Sequence, residues 1–199
     1  TGIGIGIGIG RGRYTPGMLR VLLVADTHLG FDLPVRPRSD RPRRGGDFFA
    51  NFRRALDPAH RGEVDLVVHA GDLLYRSRVP PGLVTEALEP LLEVADCGVP
   101  VVLVPGNHER SSLPYPLLAA HRHLHLLDRP RTARLALRGL DVAVAGIPCE
   151  RDGVAASFVA RVAACAAPDN ADVRLLCLHQ TVEGARVGPA DFTFRPGPD

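Results

Sequence analysis

The sequence predicts an α/β fold, and three observations carry that expectation. Apolar runs at residues 19–25, 66–70, 101–105 and 173–178 read as buried strands. Stretches with apolar residues at helical spacing separate the first three runs. All four runs end alike: Asp26-Thr27-His28-Leu29-Gly30, Gly71-Asp72, Gly106-Asn107-His108-Glu109 and His179-Gln180 put carboxylate, amide or imidazole groups just past a strand. In open α/β sheets, the crevice outside the carboxyl ends of the strands binds ligands. The functional groups are therefore expected at one end of the sheet.

The elements follow in chain order. Gly and Ile alternate over residues 2–10, and Gly at every second position weakens a strand. Residues 1–17 are expected to be disordered and to lie upstream of a natural start at Met18, the only Met. The domain occupies residues 18–199. After the first strand, residues 31–46 form a loop with Pro34, Pro37 and Pro42. Asp47 is a plausible N-cap for a helix that carries Phe48, Phe49, Phe52, Ala55 and Leu56. Pro80-Pro81 opens a second helix, through Leu83, Leu88, Leu91, Leu92 and Val94 to near Gly98, with Pro90 a candidate kink. The third strand ends at Pro105, where Gly106 permits a sharp turn. Residues 111–120 read as loop and short helix, and 123–127 as a short strand. Residues 132–137 and 140–147 pair as a hairpin across Arg138-Gly139 and mark a second sheet. An Ala-rich helix is expected over 154–167, before the strand at 173–178. The tail, 181–199, is rich in turn formers.

Composition narrows the function. The chain of 199 residues suits one domain with a sizeable core. A net charge of +2 is too small to imply nucleic acid by itself. The 24 basic residues are all Arg, which a GC-rich coding sequence explains. Cys97, Cys149, Cys165 and Cys177 form no CxxC pair and read as buried thiols of a reducing cytoplasm. No apolar run is long enough to span a membrane, and no charged start with an apolar core resembles a signal peptide.

Taken singly, the strand-end residues also have structural readings. Asp26 and His28 fit a turn, Asp72 a helix N-cap, and Asn107 a left-handed turn position. Glu109 reads as a supporting or a surface residue, His69 as core packing and His60 as surface. His121, His123 and His125 share one face of a short strand, but no carboxylate follows to complete a metal site there.

Taken in order, Asp-x-His, Gly-Asp, Gly-Asn-His-Glu and a final His resemble the calcineurin-like metallophosphoesterases, from Met18 to about His179. The forms Asp26-Thr27-His28-Leu29-Gly30 and Gly71-Asp72-Leu73-Leu74 look most like the DNA-repair exonuclease branch, the SbcD-like nuclease subunits. The resemblance implies a layered sandwich of two mixed β-sheets flanked by helices. It also implies two divalent metal ions. Mixed oxygen and nitrogen donors suit Mn²⁺, with Fe or Zn as alternatives. By resemblance, Asp26 and His28 bind the first ion, Asp72 bridges both, and Asn107 and His179 bind the second. His108 would sit beside the scissile phosphate as general acid or as donor to the developing charge. The family's further Gly-His-x-His turn is absent from the sequence. The domain is therefore expected to be incomplete at its C-terminus, with weak metal binding and little hydrolysis by the fragment alone.

The leading functional expectation is a metal-dependent phosphodiesterase, a DNA nuclease subunit of repair. An ATPase partner subunit follows from the resemblance, and a homodimer is compatible with it. Arg36, Arg38 and Arg41, after the first strand, would hold a phosphate backbone or form a solvated loop. Two alternatives are a phosphoesterase for a small nucleotide or phosphoprotein, and an inactive binding subunit. Protein phosphatases carry Gly-Asp-x-x-Asp-Arg-Gly. Here Gly71-Asp72 continues as Leu73-Leu74-Tyr75-Arg76-Ser77, which also lacks the acidic residue common near Tyr75 in the exonuclease branch.

Overall fold

The computed structural model describes residues 18–32, 44–109, 113, 120–150, 153–180, 186–187 and 192–193. Residues 1–17, most of the short helix expected over 111–120, and Arg36, Arg38 and Arg41 lie outside the described residues.

Strands β1 (Val21–Val24), β2 (Leu66–His69), β3 (Val101–Leu103) and β4 (Leu124–Leu126) form a parallel sheet in sequence order. Helices α1 (Gly45–His60) and α2 (Pro81–Asp96) connect β1 to β2 and β2 to β3, the crossovers that parallel pairing requires. A second sheet holds β5 (Arg131–Leu137), β6 (Leu140–Ile147) and β7 (Val173–Leu178). There β5 and β6 are the expected hairpin, and β7 returns parallel to β6 after α3 (Val154–Ala164). Two-residue strands β8 (Arg186–Val187) and β9 (Phe192–Thr193) pair antiparallel. The two expected sheets are thus present. The described strands of the first are all parallel, and the second is mixed.

Alternation along the strands builds the layers. Leu22, Val24, Val67, Val101 and Leu103 pack with Phe49, Phe52 and Leu56 of α1 and with Leu88 and Leu91 of α2. The intervening Leu66, Val68, Val102 and Val104 pack with Ala133, Leu135, Val142 and Val144 of the second sheet. A parallel sheet covered on both faces needs continuous apolar strands, which explains why these runs do not alternate with polar residues.

Three local expectations change. Helix α1 starts at Gly45, two residues ahead of Asp47, with no side-chain cap. Asp47 instead sits in the first turn, where a negative charge suits the helix dipole, and accepts a bond from the Arg44 guanidinium at 2.8 Å. Helix α3 stops at Ala164 and buries none of its own residues. Cys97 is exposed rather than buried, because it caps α2 where the chain turns at Gly98 (φ +84°). Cys165 is buried, Cys149 and Cys177 are half-buried, and none of the four forms a disulfide. The start of α2 at Pro81 agrees with the preference for Pro in a first helical turn.

Candidate metal centre

The segment after β1 is zipped to the segment after β2. The amides of Asp26 and His28 donate to the carbonyls of Gly71 and Asp72, both at 3.0 Å, and Leu29 donates to Leu73 at 2.7 Å. These bonds hold Asp26 (φ +54°), His28 (φ +45°) and Asp72 (φ +52°) in the left-handed region. Such backbone costs roughly 1–3 kcal/mol per non-Gly residue and persists only where its surroundings over-determine it.

The loop after β3 packs against the same place. A Cβ on Gly106 would strike the backbone and carboxylate of Asp72, and one on Gly71 would lie 2.9 Å from the Gly106 Cα and against the His179 ring. Gly71 and Gly106 are therefore the glycines that let two strand ends touch backbone to backbone. Glu109 locks the contact. Its buried carboxylate accepts from the amides of Asp72 (2.9 Å), Leu74 (2.9 Å) and Gly106 (2.7 Å). Burial pushes the Glu109 pKa up; the amides of Leu74 and Gly106 offset part of that, and the charge of Asp72 adds to it. Of the two sequence readings for Glu109, the supporting one holds and the surface one does not.

Asp72 is the centre, only 5% exposed. The His179 Nε2 stands 3.5 Å from its Oδ1, and the His108 Nδ1 3.7 Å from its Oδ2. Burial alone would raise the Asp72 pKa. The His179 hydrogen bond and charge, joined by His108, outweigh it and hold the group below the usual carboxylate range. The bond to Asp72 outweighs burial at His179 and lifts that imidazole to about 9.

Neighbouring carbonyls set two tautomers, because a carbonyl can only accept. His179 donates Nδ1–H to Ala70 at 2.7 Å, leaving Nε2 for the site. His108 donates Nδ1–H to Leu74 at 2.9 Å. A histidine whose other nitrogen is bonded to a carbonyl is the usual form of a metal-ligating histidine.

Among the described residues, two groups of three ligand side chains converge, with their ligand atoms within 4.8 Å of one another: His28, Asp72 and His108; Asp26, Asp72 and His179. Asp72 belongs to both. Asp26 and His28, expected together, lie 3.8 Å apart but fall in different groups. Asn107 stands half-buried in the turn between Gly106 and His108. The residues converge where two sheets meet rather than along one sheet's edge, since His179 follows β7 of the second sheet.

The other histidines lie apart from this cluster or behind it. His121 bonds Asp96 at 3.0 Å near the amino ends of the strands, and no described residues complete a metal group there. His60 is exposed beside Cys97. His69 is fully buried, edge-on to Phe52, as expected for core packing. Burial, and then the charge of His179, lower its pKa to about 3, so it is neutral. Sequence reasoning missed the bond from this ring to Thr27, because no spacing pattern links residues 42 apart.

A model of the calcineurin-like phosphoesterase family matches residues 19–186. The chain belongs to that family. It is also similar to archaeal proteins described as DNA double-strand break repair protein Mre11. Identity is 38% over 92 residues with the Haloferax volcanii protein, covering 46% of this chain and 20% of the relative. With the Archaeoglobus fulgidus protein it is 33% over 119 residues, covering 60% and 26%. With the Aeropyrum pernix protein it is 35% over 96 residues, covering 48% and 22%. The matched segments thus span about a fifth to a quarter of these relatives. Family membership and the two-sheet α/β architecture bear out the family resemblance and the fold class it implies. Among the described residues, no helix is long and apolar enough to cross a membrane.

Proposed function

We propose that this chain is the metal-binding phosphodiesterase part of a DNA-repair nuclease, with Mn²⁺ as the ion and Fe or Zn as alternatives. The observation that supports this most is the shared, buried Asp72 between two groups of imidazole and carboxylate donors. The donor set fits the ions, because carboxylate oxygen and neutral imidazole nitrogen suit divalent metals of this kind. Asp26, His28, Asp72, Asn107 and His179 would hold them. When bound, such ions lower the pKa of a water and stabilise charge on a phosphoryl group.

The chain's own residues supply the rest. Asp72 stays ionised despite its burial and serves both groups. Ala70 aims the His179 Nε2, and Leu74 fixes the His108 ring, leaving its other nitrogen free to hold or pass a proton. Arg36, Arg38 and Arg41 would contact the phosphate backbone. Similarity to repair proteins named Mre11 supports DNA as the substrate. An ATPase partner subunit and a homodimer belong to the same reading. Cysteines that form no disulfide support a reducing cytoplasm.

The test is Mn²⁺-dependent cleavage of a labelled oligonucleotide beside bis-p-nitrophenyl phosphate and a phosphomonoester, by this chain and by any longer product of its gene. Little cleavage is expected from this chain alone, and cleavage of DNA that a chelator abolishes from a longer product that supplies the family's Gly-His-x-His turn. Turnover of the phosphomonoester alone would replace the nuclease with a phosphatase.

A further inference from the structure

Between Asp26 and His28 stands Thr27, and its side chain goes the opposite way. The Thr27 hydroxyl donates to the Leu73 carbonyl at 3.2 Å. Its single proton is thereby used, so the contact to the His69 Nε2 at 3.1 Å is one the ring donates. His69 thus carries its proton on Nε2. Its bare Nδ1 is buried without a partner among the described residues. A buried polar atom without a partner is costly, and a leucine or phenylalanine would pack against Phe52 without that cost. The ring is polar at a place where the core does not require it, and its one bond goes to the segment carrying Asp26 and His28.

We propose that His69 is a positioning residue for the metal centre: through Thr27 Oγ1 it fixes the Asp26–His28 segment with both outer side chains facing the donor cluster. The backbone of this segment is left-handed on either side of Thr27. Each flanking amide is tied to the β2 loop, and Thr27 is tied at its side chain, to His69 and Leu73. Seating Thr27 inward leaves Asp26 and His28 outward, where they join the two donor groups. The inference rests on the metal-centre reading.

Calorimetric titration of the full chain with Mn²⁺, beside thermal unfolding without metal, tests it. His69→Phe keeps the volume and removes the donor; Thr27→Val keeps the shape and removes the hydroxyl. Each is expected to weaken Mn²⁺ binding about tenfold, at the low end of the 10–100-fold losses seen when ligand-orienting partners are removed. His69→Gln, whose amide can donate to the same oxygen, and Thr27→Ser, which keeps the hydroxyl, are expected to bind as the unmodified chain does. A purely structural role would lower the unfolding midpoint and leave the affinity of folded protein unchanged. Unchanged affinity in His69→Phe overturns the inference, as does equal loss in Thr27→Ser and Thr27→Val. If His69→Phe does not fold, the Thr27 pair decides. Absence of Mn²⁺ binding by the unmodified chain defeats the metal-centre reading and this inference with it.

Discussion

The two ends of the parallel sheet carry the same side chains and do different things with them. At the amino ends, His121 lies 3.0 Å from Asp96, a shorter contact than the 3.5 Å and 3.7 Å that separate Asp72 from His179 and His108 at the carboxyl ends. Closeness is therefore not what makes a site. The Asp96 side chain is 74% exposed, so water screens the pair. Asp72 is nearly sealed, and several strand ends converge on it. Burial makes each charge expensive to leave alone, and convergence supplies the partners.

The largest expected effect comes from Asp72→Ala. It removes the one carboxylate common to both groups, so metal content after loading with Mn²⁺ should fall to background in elemental analysis. Retention of even one tightly held ion would show that the two groups work independently. A second, intermediate effect concerns pH. His179 titrates near 9 in the metal-free fold and near its ordinary value when unfolded. Its pKa is raised, so its stabilisation is complete below the ordinary histidine pKa and is lost as pH rises through about 9. A bound metal requires the neutral ring. Apparent Mn²⁺ affinity should therefore climb by up to about tenfold per pH unit between neutrality and that value, since one proton is displaced. A flat titration would remove His179 from the ligand set. The smallest effect belongs to Asp96→Ala, whose exposed pair is worth about 0–1 kcal/mol. Urea unfolding should shift within that range and Mn²⁺ stoichiometry should not move. A change in stoichiometry would end the contrast between the two sheet ends.

The site was more legible in the sequence than its supports were. Asp26, His28, Asp72, His108 and His179 each follow an apolar run, and strand geometry carries such residues to one place. The ends of β6 and β7 were equally readable, since alternation and a turn bound them. Glu109 was harder, because a carboxylate after a turn is compatible with solvent or with burial, and only three facing amides decide between them. The same holds for Thr27 and His69, whose bond depends on strand register. The start of α1 was misjudged because Gly45-Gly46 carry no helix signal, yet they lie ahead of a strong apolar stripe. The exposure of Cys97 follows from the end of α2, which residue type does not reveal.

The Glu109 carboxylate has a consequence for how the protein breathes. It holds the amide protons of Asp72, Leu74 and Gly106 at once, and two of those partners lie 37 and 35 residues away in the chain. The β3 turn cannot leave the β2 turn without releasing both distant amides, so those of Asp72 and Leu74 should exchange with solvent deuterium together, as one opening unit, while Gly106 is held within its own turn. The turns after β2 and β3 are then docked as a pair or freed as a pair.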